Sequence, residues 1–138
     1  MTNQRAVSSS LVQEPLRVKV TSSLFGIDFP LRLEPCIFEM AGQLSRDYHG
    51  GYWNFHLLSN RGFYMAPEHN KPFEVMAENG FSGQISAEAF GIVVCLYAYS
   101  GLSFGGDTLA EICAEQYHLL RGFAIDHPEA RSIMAATD

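Results

Sequence analysis

The stretch Asp47–Pro67, DYHGGYWNFHLLSNRGFYMAP, is the most aromatic part of the chain and carries its clearest structural signal. Two apolar runs in it flank a tight polar break, Ser59-Asn60-Arg61-Gly62. Such a pattern is typical of two antiparallel strands joined by a short turn. It predicts a β-hairpin with one strand at about 52–58 and the other at about 63–66.

Alternation along the first strand divides its side chains between two faces of the hairpin. Trp53, Phe55 and Leu57 share the face that is predicted to pack on a core. The opposite face is mixed and is predicted to stay partly wet; its residues are Tyr52, Asn54, His56 and Leu58. At the turn, Asn60 is expected to close an Asx-turn or to adopt the left-handed conformation, and Gly62 is expected to accept a positive φ.

Upstream of the hairpin, the sequence predicts a tail, a strand and a helix. Residues 1–14 are polar and serine-rich, which predicts a flexible tail in front of a single domain at 15–138. The alternation of residues 16–21, LRVKVT, predicts an edge strand with its two cations in water. A helix then follows from Pro35 to about Arg46.

Downstream, the period of the pattern changes from that of strands to that of helices. Strands at 73–77 and 81–85 are predicted around Asn79-Gly80, a strong hairpin signal. Ser86 is expected to cap a helix that is apolar on every side and therefore central. A capping box at Thr108 predicts a helix to about residue 124, and a last short helix follows residue 127. The predicted fold is α+β: an antiparallel sheet of three to five strands with three to four helices packed on one side.

Charge argues against two classes of function. The formal net charge of the 138 residues is −6, with six acids and six bases up to residue 69 and nine acids and three bases after it. Non-specific nucleic-acid binding needs a basic surface, so the balance disfavours it. A DNA mimic needs a dense acidic face, since duplex DNA carries about one charge per 1.7 Å. Here fifteen acids are offset by nine bases, and no two acids are adjacent.

The cysteines and the hydropathy pattern indicate a cytoplasmic protein. Cys36, Cys95 and Cys113 are odd in number, form no CxxC pair and lie in apolar runs, so we expect buried reduced thiols. The first ten residues, MTNQRAVSSS, contain no apolar signal core. The longest apolar run, residues 89–99, is too short to span a bilayer.

Two chemical alternatives stay open from the residues alone. No HExxH, GxSxG, Walker A or GxGxxG motif occurs, but Cys36 and His49, with Asp47 nearby, could form a nucleophilic pair in a small enzyme. A DNA-binding module would instead need a local basic patch; its candidate residues are Arg17, Lys19, Arg32, Arg46 and Arg61.

A series of motifs in the chain resembles the KlcA/ArdB family of antirestriction proteins, which plasmids and other mobile elements carry. They are DYxGGYW at 47–53, LSNxGFYMAP at 58–67, NGFSG at 79–83, SA at 86–87, GI at 91–92 and YHxxR at 117–121. They occur in the same order over roughly residues 16–125. Arg61 departs from the pattern, because many members have glycine there, and the turn type stays open.

The resemblance implies a compact α+β domain without a known cofactor that protects incoming DNA from type I restriction endonucleases, impairing cleavage while largely sparing methylation. It supplies no catalytic, cofactor or metal residue. We therefore expect contact, direct or indirect, with a type I restriction-modification system, and no nucleic-acid or membrane partner; the oligomeric state is open. The predicted contact residues are Asp47, Tyr48, Gly50, Gly51, Tyr52, Ser59, Asn60, Arg61 and Tyr64.

Overall fold

The structure is a computed structural model that describes residues 6–138. The described part contains five strands, β1 Ser9–Leu11, β2 Trp53–Leu58, β3 Phe63–Pro67, β4 Phe73–Met76 and β5 Ser82–Ile85. Its α-helices are α1 Arg17–Phe25, α2 Glu34–Leu44, α3 Ala87–Leu102, α4 Thr108–Ala124 and α5 Ala130–Thr137. A short 3₁₀ helix, Glu14–Leu16, precedes α1, and a π-helical segment, Phe29–Leu33, precedes α2.

The α+β class and the antiparallel strands are confirmed, and the strands form two sheets. One sheet has the order β1-β2-β3 and the other consists of β4 and β5. The aromatic hairpin is β2–β3, paired from Trp53 with Pro67 to Leu57 with Phe63. The second hairpin turns at Asn79-Gly80, where Gly80 has φ 94° and Asn79 Oδ1 accepts a hydrogen bond from Phe81 N–H.

The prediction for the N-terminal region is wrong at two places. Ser9–Leu11 is not a loose tail, because it pairs with β2 as an edge strand, and Val12 N–H donates to Phe55 O at 2.8 Å. Residues 16–21 are not a strand, because β1 already pairs with that edge of β2. In addition, a 3₁₀ helix with Pro15 in its first turn begins at Glu14 and leads directly into α1. The part of the predicted tail at residues 1–5 lies outside the described residues.

The central element is α3, as its all-round apolar pattern predicted. Every residue from Ala89 to Tyr99 except Tyr97 is buried, and Ser86 caps the helix by accepting a hydrogen bond from Ala89 N–H at 3.1 Å. Gly91 lets α3 approach β3 closely: a Cβ at this position would lie 2.5 Å from both Met65 O and Ala66 Cα. The helix and the hairpin therefore meet backbone to backbone.

Helices contact both faces of the β2–β3 hairpin, where the sequence predicted helices on one side. Phe25 and Phe29, from α1 and the π-helical segment, pack edge-on against Phe63 on one face. On the other face Tyr64 stacks on Phe123 of α4 with ring centroids 5.6 Å apart. This arrangement buries all five residues of β3.

The N-terminus of α4 differs from the predicted capping box. Asp107, rather than Thr108, is the N-cap and accepts a hydrogen bond from Ala110 N–H at 2.9 Å. The same carboxylate forms an ion pair with Arg32 at 2.7 Å. None of the helices in residues 6–138 is both long and apolar enough to cross a membrane.

Candidate partner-binding site

The turn between β2 and β3 is built around the Asn60 side chain. Its Oδ1 accepts a hydrogen bond from Gly62 N–H and its Nδ2 donates one to Leu119 O, each at 2.9 Å. The Asx-turn predicted for Asn60 is therefore present. The positive φ predicted for Gly62 belongs instead to Arg61, whose φ is 74°. Gly62 is needed for space, since a Cβ there would lie 2.9 Å from Leu58 Cδ1.

Arg61 is held in this strained conformation by its neighbours. Its N–H donates to Leu58 O at 2.9 Å, and its carbonyl accepts a hydrogen bond from Gln116 Nε2 at 3.1 Å. A non-glycine residue in the left-handed region costs on the order of 1–3 kcal/mol. The backbone is thus fixed on the inside of the turn while the charged side chain is exposed.

The segment that leads into β2, Asp47–Tyr52, is built differently from the turn, and we call it the approach. Gly50 and Gly51 have φ 89° and 111° and are exposed, so at these two positions the surface consists of backbone atoms. Asp47 Oδ2 accepts a hydrogen bond from Glu74 N–H at 2.8 Å, which ties the approach to β4. Tyr48 is half-buried, and its hydroxyl accepts a hydrogen bond from Trp53 Nε1 at 3.1 Å.

Tyr52 is the aromatic residue of the approach that reaches the surface, with 45% of it exposed. Its hydroxyl donates to Glu14 and accepts a hydrogen bond from Arg17 at 2.8 Å. The pKa of the Tyr52 hydroxyl is raised, chiefly by the hydrogen bond to the Glu14 carboxylate. Tyr52 therefore presents its ring while its polar end is held by residues of the same molecule.

The structure places the predicted contact residues in two separate groups and shows that one residue, Tyr64, belongs to neither. The approach at Asp47–Tyr52 and the turn at Ser59–Arg61 lie at opposite ends of β2, about 17 Å apart for a six-residue strand. Tyr64 is wrong as a contact residue on this surface, because it is fully buried, stacks on His56 and donates to Glu88 Oε1 at 3.2 Å. Alternation within β3 could not predict this, since helices cover both of its faces.

The hypothesis of a Cys–His enzyme gains no support from the geometry. Within residues 6–138 no hydrogen bond joins Cys36 to His49, and His49 is exposed. Burial raises the pKa of the Cys36 thiol, which opposes formation of a nucleophilic thiolate. In the same residues no group of three or more His, Cys, Asp or Glu side chains is arranged to hold a metal ion.

Nor are the five cations of the hypothetical DNA-binding patch all available. Arg17 points inward, donating to Trp53 O at 2.8 Å and lying over the Phe55 ring at 4.2 Å. Arg32 is paired with Asp107, which also withdraws that carboxylate from the acidic patch that a DNA mimic would need. Of the five, Lys19 and Arg61 line one shared groove.

Sequence reasoning missed the side chains that close the free edge of β3. Cys95 Sγ lies 3.5 Å from both Met65 N and Met65 O, and the Tyr99 hydroxyl donates to Phe63 O at 2.6 Å. Gln116 Oε1 accepts a hydrogen bond from Phe63 N–H at 2.9 Å. A glutamine on the apolar face of α4 was the one signal in the sequence that pointed to this arrangement.

The comparisons with known proteins agree with this geometry. The family described as "Antirestriction protein" matches residues 46–138, two thirds of the chain. The chain belongs to this family. It is 38% identical over 140 residues to an "Antirestriction protein KlcA" of Escherichia coli, covering 99% of both chains. It is also 30% identical over 132 residues to a "Putative antirestriction protein YubI" of E. coli K12, covering 92% of this chain and 93% of the relative.

The fold of this chain is also similar to that of a solved structure. It comes from work on the KlcA and ArdB proteins, and it matches with a TM-score of 0.90 and 38% identity over 100% of this chain and 99% of that one. Those proteins are described as having a novel fold and antirestriction activity against type I DNA restriction systems in vivo but not in vitro. The family resemblance inferred from the motifs is confirmed.

Proposed function

We propose that this protein protects incoming DNA in the cell by impairing type I restriction, and that it does so by contact with a protein. The observation that carries the proposal is likeness along the whole chain: a TM-score of 0.90 to a structure of proteins with that activity in vivo. Activity in vivo but not in vitro, as described for those proteins, fits a contact that needs a cellular component rather than a reaction performed by the protein alone.

Contact is favoured over DNA mimicry by the state of the acidic residues. Asp107 forms an ion pair with Arg32 and caps α4, while Glu88 Oε2 is hydrogen-bonded to His127 Nε2 at 2.7 Å. The sequence has fifteen acids offset by nine bases, with no two acids adjacent, which disfavours the dense, base-free array that imitates a phosphate backbone. Contact is favoured over DNA binding because the net charge is −6 and because Arg17 and Arg32 are engaged within the molecule.

The contact surface in this proposal is the exposed part of the predicted site. It consists of the approach, with Asp47, Gly50, Gly51 and Tyr52, and the turn, with Ser59 and Arg61. Asn60 and Tyr48 support this surface from inside through their hydrogen bonds. Asn60→Ala is thus a poor probe of function, since it breaks the turn that holds Arg61.

The test is phage plating on cells that carry a type I system, with protein levels matched. Arg61→Gly removes the charge and suits the positive φ, and Asp47→Asn keeps an acceptor for Glu74 N–H. Each is expected to weaken protection about tenfold, which is typical of removing one strong contact. Arg131→Ala, at an exposed position on α5, is the matched control and is expected to protect fully.

Two results would count against the proposal. Full protection by both variants would place the contact elsewhere on the molecule. Absence of protection by the unaltered protein would remove the function itself. Affinity capture from the same cells, asking whether restriction subunits co-purify, separates a direct contact from an indirect one.

A further inference from the structure

A groove lies between α1 and the turn of the aromatic hairpin, and it shares Arg61 with the proposed contact surface. Its volume is about 380 Å³, within the range of pockets that take small apolar groups, roughly 300–1,000 Å³. The inner lining is apolar and comes from both elements: Val20 and Leu24 from the helix, Leu57 and Leu58 from β2. Leu58 is buried and the other three are half-buried.

The helix contributes a continuous apolar stripe to this groove. Leu16, Val20 and Leu24 are spaced i, i+4, i+8, so they lie on one side of α1. Leu16, the N-cap residue just before α1, remains 50% exposed. A stripe of this kind normally packs against another element, and here within residues 6–138 it is only partly covered.

The charged lining of the groove has a single sign. Lys19 and Arg61 are its two charged residues, and both are exposed. Within residues 6–138 neither side chain has an ion-pair or hydrogen-bond partner, whereas Arg17 and Arg32 each have one. The protein has a net charge of −6, so a groove whose charged lining residues are all cations has a local charge opposite to that of the whole molecule.

Arg61 is also held there against its backbone preference. Its φ of 74° suits glycine, and the turn is fixed by Asn60 and Gln116 so that the arginine side chain stands at the groove. The fold thus keeps a strained residue whose side chain is not used internally. Such strain is a frequent mark of a functional position.

We infer that this groove, which we call the α1–turn groove, binds an acidic amphipathic segment of a protein partner. Apolar side chains of the segment would enter between α1 and β2, and its carboxylates would pair with Lys19 and Arg61, in the manner of other helix-in-groove contacts. The inference deepens the proposed function and rests on it in taking the partner to be a protein. Duplex DNA fits less well, because two cations over an apolar lining make few phosphate contacts.

The test presents the purified full chain as bait to a displayed library of short random peptides. A Lys19→Glu, Arg61→Glu double variant is the parallel bait, and Lys71→Glu, at an exposed lysine outside the groove, is the matched control. The unaltered chain and the Lys71 variant are expected to enrich peptides that combine Asp or Glu with Leu, Phe or Trp. The double variant is expected to lose them, with affinity for the best peptide at least about tenfold lower.

Backbone NMR shifts on adding that peptide are expected at residues 16–24 and 57–61 and not at α5. Thermal unfolding of each variant, together with Arg61→Gly, shows that loss of binding is not loss of folding. Selected peptides without an acidic bias, equal binding by the double variant, or shifts elsewhere would overturn the inference. So would a DNA duplex that shifts the same residues, or light scattering that shows a dimer of the unaltered chain and a monomer of the double variant.

These outcomes are distinguishable from failure of the proposed function. Peptide selection uses the purified protein and needs no restriction system, whereas phage plating measures protection directly. Peptide binding without any protection by the unaltered chain would leave the α1–turn groove standing and remove the function. Protection that persists in the double variant would separate the α1–turn groove from restriction.

Discussion

Strand β3 and the turn that precedes it are adjacent in sequence but are built in opposite ways. Every residue of β3 is buried, and the backbone groups at its free edge are met by Cys95, Tyr99 and Gln116. The turn is held from inside by Asn60, yet it presents Arg61 to solvent. Of the two, only the turn exposes a charged side chain.

The comparison shows that aromatic residues in this hairpin are not a guide to what is exposed. Phe63 and Tyr64, the two aromatic residues of the LSNxGFYMAP motif, lie in the core, where a sheet edge without a strand partner has to be closed. What reaches the surface is backbone with positive φ at Gly50 and Gly51, the Tyr52 ring and the Arg61 side chain. Substitutions in the two regions should therefore have different consequences.

The largest effect is expected where α3 meets β3. Gly91→Ala would place a Cβ 2.4 Å from Ala66 Cβ and 2.5 Å from Met65 O, and the backbone of the strand cannot yield without breaking its edge contacts. We expect a loss of about 3 kcal/mol or more in the free energy of unfolding, measured by urea denaturation. Gly42→Ala in α2 is the control: its Cβ meets nothing within 4 Å, and it should stabilise by about 0.5–1 kcal/mol. Equal effects would mean that α3 does not approach β3 this closely.

The next effect tests the closed edge of β3 directly. Tyr99→Phe leaves the buried Phe63 carbonyl without its donor, which should cost about 2 kcal/mol. Tyr97 makes a bond of the same length, 2.6 Å, to Ala136 O but is only half-buried, so water can replace its hydroxyl. Tyr97→Phe should therefore cost less than about 1 kcal/mol in the same denaturation experiment. A reversed order would show that the edge of β3 is not sealed.

A smaller effect is expected from alkaline pH. Burial raises the pKa of the Cys95 thiol from 9.0 to about 12. Above pH 9 the unfolded chain loses this proton while the folded chain keeps it. The contribution of Cys95 to the free energy of unfolding is therefore fully present below pH 9 and is lost as pH rises toward 12. Between neutral pH and about pH 10, Cys95 alone should account for about 1–2 kcal/mol of lost stability. Cys95→Ala should be less stable at neutral pH but should show a shallower decline with pH; an unchanged slope would contradict the burial of the thiol.

The smallest effect concerns Arg61. Replacing it with glycine should relieve the positive φ and raise stability by about 0.5–1 kcal/mol, seen as a higher urea midpoint. Asn60→Ala should move the midpoint in the opposite direction, because it removes hydrogen bonds to Gly62 N–H and Leu119 O. Together with phage plating, the pair sharpens the comparison: a more stable Arg61→Gly protein that protects poorly would assign a functional role to the side chain. If Arg61→Gly is destabilised, the strain assigned to this turn is absent.

Much of the fold could be predicted from local pattern. The two hairpins, the central α3 and the helix α4 followed from alternation, turn residues and apolar periodicity, and the structure confirms them. The strand predicted at residues 16–21 was wrong. The alternation of Arg17 and Lys19 with valines is compatible with an edge strand as well as with the helix that forms there. Pairing of Ser9–Leu11 with β2, which no local signal marks, decided the matter by occupying that edge.

The candidate site was predicted less completely. The sequence identified the approach and the turn as unusual, but it could not separate Arg61, which is exposed, from Tyr64, which is buried. Exposure depends on which elements fold back over the hairpin, and these come from residues far away in the chain. The pairing of Lys19 with Arg61 in one groove has the same origin, because it joins α1 to a turn some forty residues later.

Residue identity and the period of the apolar pattern were enough to predict the family, the α+β class and the two hairpins. Only the tertiary structure decided which aromatic side chains are core, which cations are free and where an apolar groove stays open. The physical reason is that burial and pairing are properties of contacts between distant segments, and at β3 those contacts reverse what the strand's own pattern suggests.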